Sequence, residues 1–290
     1  MDVDRAEGPE LTGASTTLTR ILAGADGSQR ADEAVRQAAR LATATGATLE
    51  VAFVVDTGRP HDEGVDREAS ATLDRASAIA AEAGTRADLR VLAGDPARSL
   101  LEEAAGEGAQ LVCVGPDAGL IGGAIRIGQV AAHILREAKP SVLIARLAGP
   151  AFPARIACGV DGSDASADTA EFAAQIAAAT DAQLRLVHVI PVFRGDDTEW
   201  TLDQDEPSPP ELEPALLAVT SRGVVPIREM AMGRPEHALV KAAGRDDTDL
   251  LVVGHRGVSG VRRVLLGSVS EYCSHHAPCS VLVARPGPTA

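Results

Sequence analysis

The chain is written twice. Ile21-Leu22-Ala23-Gly24-Ala25-Asp26-Gly27-Ser28 returns as Ile156-Ala157-Cys158-Gly159-Val160-Asp161-Gly162-Ser163. The register holds into the next apolar run, where Thr45-Gly46-Ala47-Thr48-Leu49 faces Thr180-Asp181-Ala182-Gln183-Leu184 and Val54 faces Val189. It resumes further on: Gly94-Asp95-Pro96 matches Gly233-Arg234-Pro235, and Leu111 to Gly115 matches Leu250 to Gly254. A repeat of this length is a whole domain duplicated in tandem rather than a solenoid unit, and 290 residues suffice for two cores of ordinary size.

Each half alternates short apolar runs with amphipathic segments, the pattern of a parallel sheet with crossover helices. The first half predicts strands at 21–25, 49–55, 88–93, 111–115 and 141–146, with helices at 30–45, 68–83, from Pro96, and at 129–138. Ala34, Ala38, Leu41 and Ala42 form one apolar helix face, and Pro96 suits a first helical turn. The second half predicts strands at 155–160, 183–189, 224–230, 250–254 and 280–284. Domains are expected over 20–146 and 155–285. A Pro- and Gly-broken linker at 147–154 joins them, after a disordered leader over 1–19 and before a tail over 286–290. The acidic, proline-rich stretch from Arg194 through Trp200 to Pro214 reads as a solvated loop, with a regulatory lid as the alternative that Trp200 keeps open.

Gly254-His255-Arg256-Gly257, nine residues, then Gly267-Ser268 lie between the buried strand ending at Val253 and a helix start. Glycines at 254, 257 and 267 admit a close backbone approach, and Arg262 and Arg263 offer charge-assisted hydrogen bonds. Ser268 is placed as the N-cap of the helix that follows through Val269, so that unpaired N–H groups and the positive helix end face an anion. In the first half the matching positions are Gly115, Ala118, Gly128 and Gln129, followed by Val130, so one glycine and the serine are lost. Asp161-Gly162-Ser163 has a purely structural reading as a turn with a helix cap.

The repeated Asp-Gly-Ser, His188-Val189 at the end of a second strand, and Gly-x2-Gly-x9-Gly-Ser before a short helix and a last strand together resemble the universal stress protein family, over about Arg20 to Arg285. The resemblance implies two tandem Rossmann-like α/β domains, each a doubly wound five-stranded parallel sheet of strand order 3-2-1-4-5, paired through their last strands. Asp161 and Gly254 then flank the crevice at the switch point. It further implies that Asp161 and the Val189 backbone hold an adenosine, while Val253, Gly254, His255, Gly257, Arg263, Gly267, Ser268 and Val269 surround the phosphates of ATP, with Mg2+ held through those phosphates. A weaker first-half site would use Asp26, Val54, Gly115, Gly128, Gln129 and Val130.

A net charge of −14 without a Lys/Arg stripe argues against nucleic acid. No apolar run is long enough for a bilayer, and the acidic, polar start is unlike a secretory leader, so the protein is expected to be cytoplasmic. Cys113, Cys158, Cys273 and Cys279 form no CxxC pair and read as buried thiols. Cys273, His275, His276 and Cys279 invite a metal reading, but ordinary packing suits a helix running into a strand better. No P-loop, nucleophile elbow or paired carboxylate is present, and His255 reads as a solvated loop residue before a general base. Three classes stay open: an ATP-binding stress-response regulator, favoured, acting as a homodimer of tandem chains with a regulatory protein partner; a slow ATPase or nucleotidyl transferase; and a nucleotide-independent scaffold.

Overall fold

The computed structural model describes residues 18–58, 62–116, 120–121, 124–125, 127–192, 198–202, 207–245, 248–255 and 266–285. The expectations placed on Ala118, Gly257, Arg262, Arg263, the leader before Leu18 and the tail lie outside the described residues. Leu18 is buried and the Thr19 N–H donates to Gln110 Oε1 at 3.1 Å, so the chain is part of the fold two residues before the expected boundary.

In the first half, β1 (Arg20–Ala25) leads to α1 (Gln29–Thr45), which starts where Ser28 Oγ accepts from the Ala31 N–H at 3.1 Å and stops at Gly46 in the left-handed region. β2 (Thr48–Asp56) precedes α2 (Glu63–Glu82). This helix begins five residues before the sequence expectation, because Asp62 Oδ1 accepts from the Gly64 and Val65 N–H groups and opens it there. β3 (Ala87–Gly94), α3 (Pro96–Gly106), β4 (Leu111–Val114), the two-residue ladder of β5 (Leu120–Ile121) and β6 (Ala124–Ile125), α4 (Gln129–Glu137) and β7 (Ser141–Ile144) complete it.

The second half runs β8 (Arg155–Val160), α5 (Asp164–Thr180), β9 (Gln183–Pro191), β10 (Thr198–Leu202), a 3-10 turn at Pro210–Leu212, α6 (Glu213–Thr220), β11 (Ile227–Gly233), α7 (Pro235–Ala243), β12 (Leu250–Gly254), α8 (Ser268–His276) and β13 (Ser280–Ala284). β11 starts three residues late against expectation, just after Pro226, which has no N–H to give a ladder. The reading of 194–214 as a loop is corrected in part: 198–202 pairs antiparallel with β11, Trp200 opposite Met230, and 210–220 is helical. Its alternation Thr-Glu-Trp-Thr-Leu is strand-like, but the surrounding acidic and proline residues obscured it in the sequence.

All the longer strands join one eleven-stranded sheet, ordered β10-β11-β9-β8-β12-β13-β7-β4-β1-β2-β3. Each half contributes a parallel 3-2-1-4-5 array, as the resemblance implies. The halves join where β13 meets β7 antiparallel, with Leu282 opposite Leu143, two residues that occupy the same place in the repeat. One apolar cluster on each sheet face draws on both halves, and Val142, Ile144, Val281 and Val283 lie in the same one.

The join is clamped by a reciprocal pair of arginines. Arg146, just past β7, donates through Nη2 to Ser274 O at the end of α8 and through Nη1 to Cys279 O at 3.1 Å. Arg285, just past β13, donates through Nη2 to Leu135 O of α4 and through Nη1 to Pro140 O at 3.3 Å. Each thus satisfies helix-end carbonyls of the other half. The backbone repeats the exchange: Arg146 N–H donates to Ser280 Oγ at 2.9 Å, and Arg285 N–H to Ser141 Oγ at 3.0 Å. Gln37 from α1 closes the network, donating to Arg146 O at 2.6 Å and accepting from Ser280 Oγ at 2.9 Å. Burial of Arg146 pushes its guanidinium down to about 10, still charged at neutral pH.

Under the sheet, Glu50 of β2 has its carboxylate 4.0 Å from Arg90 of β3 and 3.9 Å from Arg20. Its Oε1 is a buried acceptor with no hydrogen-bond partner. At the matching position β9 carries Arg185, and Glu229 of β11 replaces Arg90, so the pair is reversed in sign and tightened to 3.1 Å. Arg185 also donates to Ala242 O at 2.9 Å and Thr248 Oγ1 at 2.6 Å.

Two outcomes are expected. Arg146→Met leaves the carbonyls of Ser274 and Cys279 without their donor and lowers unfolding free energy by about 2 kcal/mol in urea titrations. Burial first, then a hydrogen bond that the protonated Glu50 carboxyl donates to Glu103 and the negative charge of Glu103, raise the Glu50 carboxyl to about 7. The folded state therefore holds a proton that the unfolded chain releases above 4.5, so this stabilisation is full at low pH and is lost as pH rises through 7. Glu50→Gln should match the parent's urea midpoint near pH 4.5 and exceed it above pH 7.5, a gap that a series of midpoints across that range reads directly.

Candidate functional site

The Asp-Gly-Ser turns that follow β1 and β8 are built alike. Gly27 and Gly162 sit at φ 82° and 83°, a conformation that side chains rarely adopt. Asp26 Oδ1 accepts from the Ser28 N–H at 2.8 Å, and Asp161 Oδ1 accepts from the Ser163 N–H at 3.1 Å and its hydroxyl at 2.6 Å. Ser163 Oγ in turn accepts from the Ser166 N–H at 3.2 Å. The structural reading of the motif, a turn with a helix cap, is thus realised in both halves.

Beyond the carboxyl ends of β8, β9 and β12 lies a cleft of about 680 Å³. Its place is the switch point between β8 and β12, where the winding of the sheet reverses. Of the residues singled out from the sequence, Asp161, Val189, Val253, Gly254, Gly267, Ser268 and Val269 line it.

The β12–α8 side of the cleft is made by backbone. Gly254 closes β12, and the Gly267 N–H donates to His255 O at 3.0 Å, pinning the two ends of the intervening segment together. Ser268 is the first residue of α8 and not its cap, a correction to the sequence reading. Gly267 occupies the cap position with extended backbone, φ −67° and ψ 149°, and no side chain caps this helix. The N–H groups of Ser268, Val269 and Ser270, which have no partner within an α-helix, belong to three residues that line the cleft. The positive end of α8 thus faces it, while Arg146 holds the opposite end.

His255 is turned to the sheet: its N–H donates to Ala284 O at 3.0 Å, and Nδ1 lies 3.3 Å from the same oxygen. It is not among the residues lining the cleft. Gly257 and Arg263 lie outside the described residues.

Sequence reasoning missed the apolar lining on the β9–β11 side, Ile190, Pro191 and Met230, together with Leu239, Pro209 and Glu211. Met230 was open to inference, since it pairs with His188 at the carboxyl end of the third strand. Pro209 and Glu211 were not, because they belong to the stretch with no counterpart in the first half. A Cβ on Gly162 would come within 3.3 Å of the Glu211 backbone, so that stretch seats directly on the Asp-Gly-Ser turn. His188, buried at the cleft wall, has Nδ1 3.1 Å from Val160 O.

The first-half residues are placed differently. Asp26 is in its turn, Val54 is near the end of β2, and Val130 packs on the apolar cluster beneath α4. A Cβ on Gly115 would meet Arg30 backbone at 2.8 Å, so this glycine is required for packing against α1. Gly128 caps α4 with extended backbone, like Gly267. With Gln129 it lines a separate cavity of about 470 Å³ between α4 and α8, alongside His133, Arg136 and His275.

Burial pushes the Cys158, Cys273 and Cys279 thiols up to about 12, and Cys113 higher still, as inert packed thiols require. Among the described residues no three His, Cys, Asp or Glu side chains are grouped to hold a metal. No helix among them is long and apolar enough to cross a membrane.

Two doubly wound halves on one chain, sharing a sheet and presenting a cleft at a switch point, define a tandem α/β protein with a ligand-binding architecture. The model of the universal stress protein family matches residues 17–146 and again 154–285, and the chain belongs to that family. A universal stress protein of Methanocaldococcus jannaschii is 34% identical over 138 residues, covering 45% of this chain and 81% of its own. One of Thermus aquaticus is 35% identical over 132 residues, covering 43% and 93%. Among solved structures, a universal stress protein from Archaeoglobus fulgidus covers 93% of this chain and 97% of its own, at 19% identity and a TM-score of 0.68. A putative universal stress protein from Pseudomonas aeruginosa covers 94% and 95%, at 20% identity and a TM-score of 0.64. At these identities the solved structures speak for the tandem fold alone.

The two serines give opposite expectations. Ser163→Ala removes a working cap and should cost about 1 kcal/mol in urea unfolding. Ser268→Ala removes no cap and should leave the urea midpoint unchanged.

Proposed function

We propose that the second half binds ATP in this cleft and that its occupancy changes the conformation or partner binding of the tandem pair, in a cytoplasmic stress response. The observation that carries the reading is the first turn of α8, three successive backbone N–H groups at the mouth of a cleft whose other end is apolar. That polarity suits a ligand with an anionic tail and a flat, weakly polar head. The polyphosphate would lie on Gly254, Gly267, Ser268 and Val269, and the adenosine between Asp161, Val189 and Met230. Among the described residues no cluster of carboxylates could cage a metal, so Mg2+ would arrive on the phosphates. Gly257, His255 and Arg263 complete the set proposed from the motif. A regulatory protein partner and a homodimer of tandem chains belong to the same reading.

Regulation is favoured over turnover by the state of His255. Its Nδ1 lies 3.3 Å from Ala284 O, and it is not among the described residues that line the cleft, which speaks against a general-base role for it.

Isothermal titration of the purified full chain with Mg·ATP tests this, together with the nucleotide that co-purifies. One equivalent per chain is expected, and Gly267→Val should abolish it, because the added side chain stands at the backbone approach. Two equivalents would bring the first-half set, Asp26, Val54, Gly115, Gly128, Gln129 and Val130, into use. No heat and no retained nucleotide would refute the reading, and turnover lost in Gly267→Val would favour the enzyme instead.

A further inference from the structure

The outer strands of the two parallel arrays have unequal fates. β11 ends the second half's parallel array and is covered by β10, which pairs antiparallel with 228–232. β3 holds the same place in the first half, with Gly94 and Gly233 both at φ 139° fixing the correspondence. Among the described residues no strand pairs with its outer edge. The consequence is visible residue by residue. Val91 is 58% exposed where its counterpart Met230 is 2%, and Leu89 is 38% exposed where Arg228 is 6%. A run of eight residues with two exposed large aliphatics is a template for strand addition, and natural edges are ordinarily blunted.

We infer that β3 is the contact between two copies of this chain, joined antiparallel about a two-fold axis at Leu89. The inference rests on the homodimer reading above and not on nucleotide binding. The register follows from charge. A two-fold axis perpendicular to the sheet keeps each face on its own side, so odd residues must meet odd residues and even meet even. An axis at Arg90 sets Arg90 against Arg90. An axis at Val91 sets Arg90 against Leu92. An axis at Leu89 sets Asp88 against Arg90 of the other copy twice over, with Leu89 against Leu89 and Ala87 against Val91 on the opposite face. Only this register pairs the charges, and it also covers both exposed aliphatics. The sheet would then run on through both copies, with β10 strands closing its far ends.

The four native cysteines are buried, so a single surface cysteine reports cleanly. In the full chain, Leu89→Cys should give a disulfide-linked dimer under mild oxidation, its Cα atoms being about 5 Å apart across the ladder. Val91→Cys should not, since its two copies would lie about 14 Å apart. By light scattering the parent should be a dimer, and Asp88→Arg, which sets arginine against Arg90 at both crossings, should weaken association about tenfold. A parent that stays monomeric as concentration is raised overturns both this surface and the homodimer reading. A dimer that fails to cross-link as Leu89→Cys, that cross-links as Val91→Cys, or that is indifferent to Asp88→Arg overturns this surface alone.

Discussion

The antiparallel seam between β7 and β13 is what makes one molecule of two repeats. It continues the hydrogen bonding of both sheets across their boundary, so neither half has a free edge at its last strand. A strand seam alone fixes register but leaves the helices above it free to shift. Arg146 and Arg285 remove that freedom, each reaching over the seam to the closing carbonyls of a helix in the opposite half. A buried guanidinium whose Nη groups are held by carbonyls, as in Arg146, is demanding of geometry, since each of those donors has one correct place. The proposed phosphate helix α8 is thereby held by two halves at once: its amino end opens on the second half's cleft and its carboxyl end is tied by the first.

This arrangement gives a physical route from ligand to assembly. A polyanion bound as proposed at the first turn of α8 would act on a helix whose other end is tied to Arg146, just past β7. A displacement of α8 would therefore act on the seam through Arg146. The first half's equivalent helix, α4, has the same uncapped glycine start and the reciprocal clasp from Arg285, so the load path exists in both directions.

Much of the fold could be read from the chain because the repeat supplied two independent copies of every periodicity. Strands such as 155–160, 250–254 and 280–284 carry apolar runs, the first two closed by Asp161 and Gly254, and they lie where expected. What could not be read was local or non-local in a particular way. The early start of α2 rests on the Asp62 side chain overruling a weakly amphipathic segment. The edge strand at 198–202 owes its existence to pairing with β11, which no window on the sequence contains. The β12–α8 side of the cleft was legible because Gly254 and Gly267 mark where backbone replaces side chains. Its opposite lining was less so, because Leu239 and Pro209 come from segments far apart in the chain. Ser268 was misplaced by one position, since Gly267 had the extended backbone that a cap needs and no side chain to advertise it.

The reversed pair beneath the sheet carries one more implication. Glu50 with Arg90 in one half answers Arg185 with Glu229 in the other, the same contact with its signs exchanged. Two identical subunits sharing a gene must accept every mutation in duplicate, so such an exchange would have to succeed in both places simultaneously. Fusing the copies lifts that requirement, and each can drift by itself. One can keep a binding cavity and the other surrender its own, with the shared seam guarding the architecture while their chemistries part.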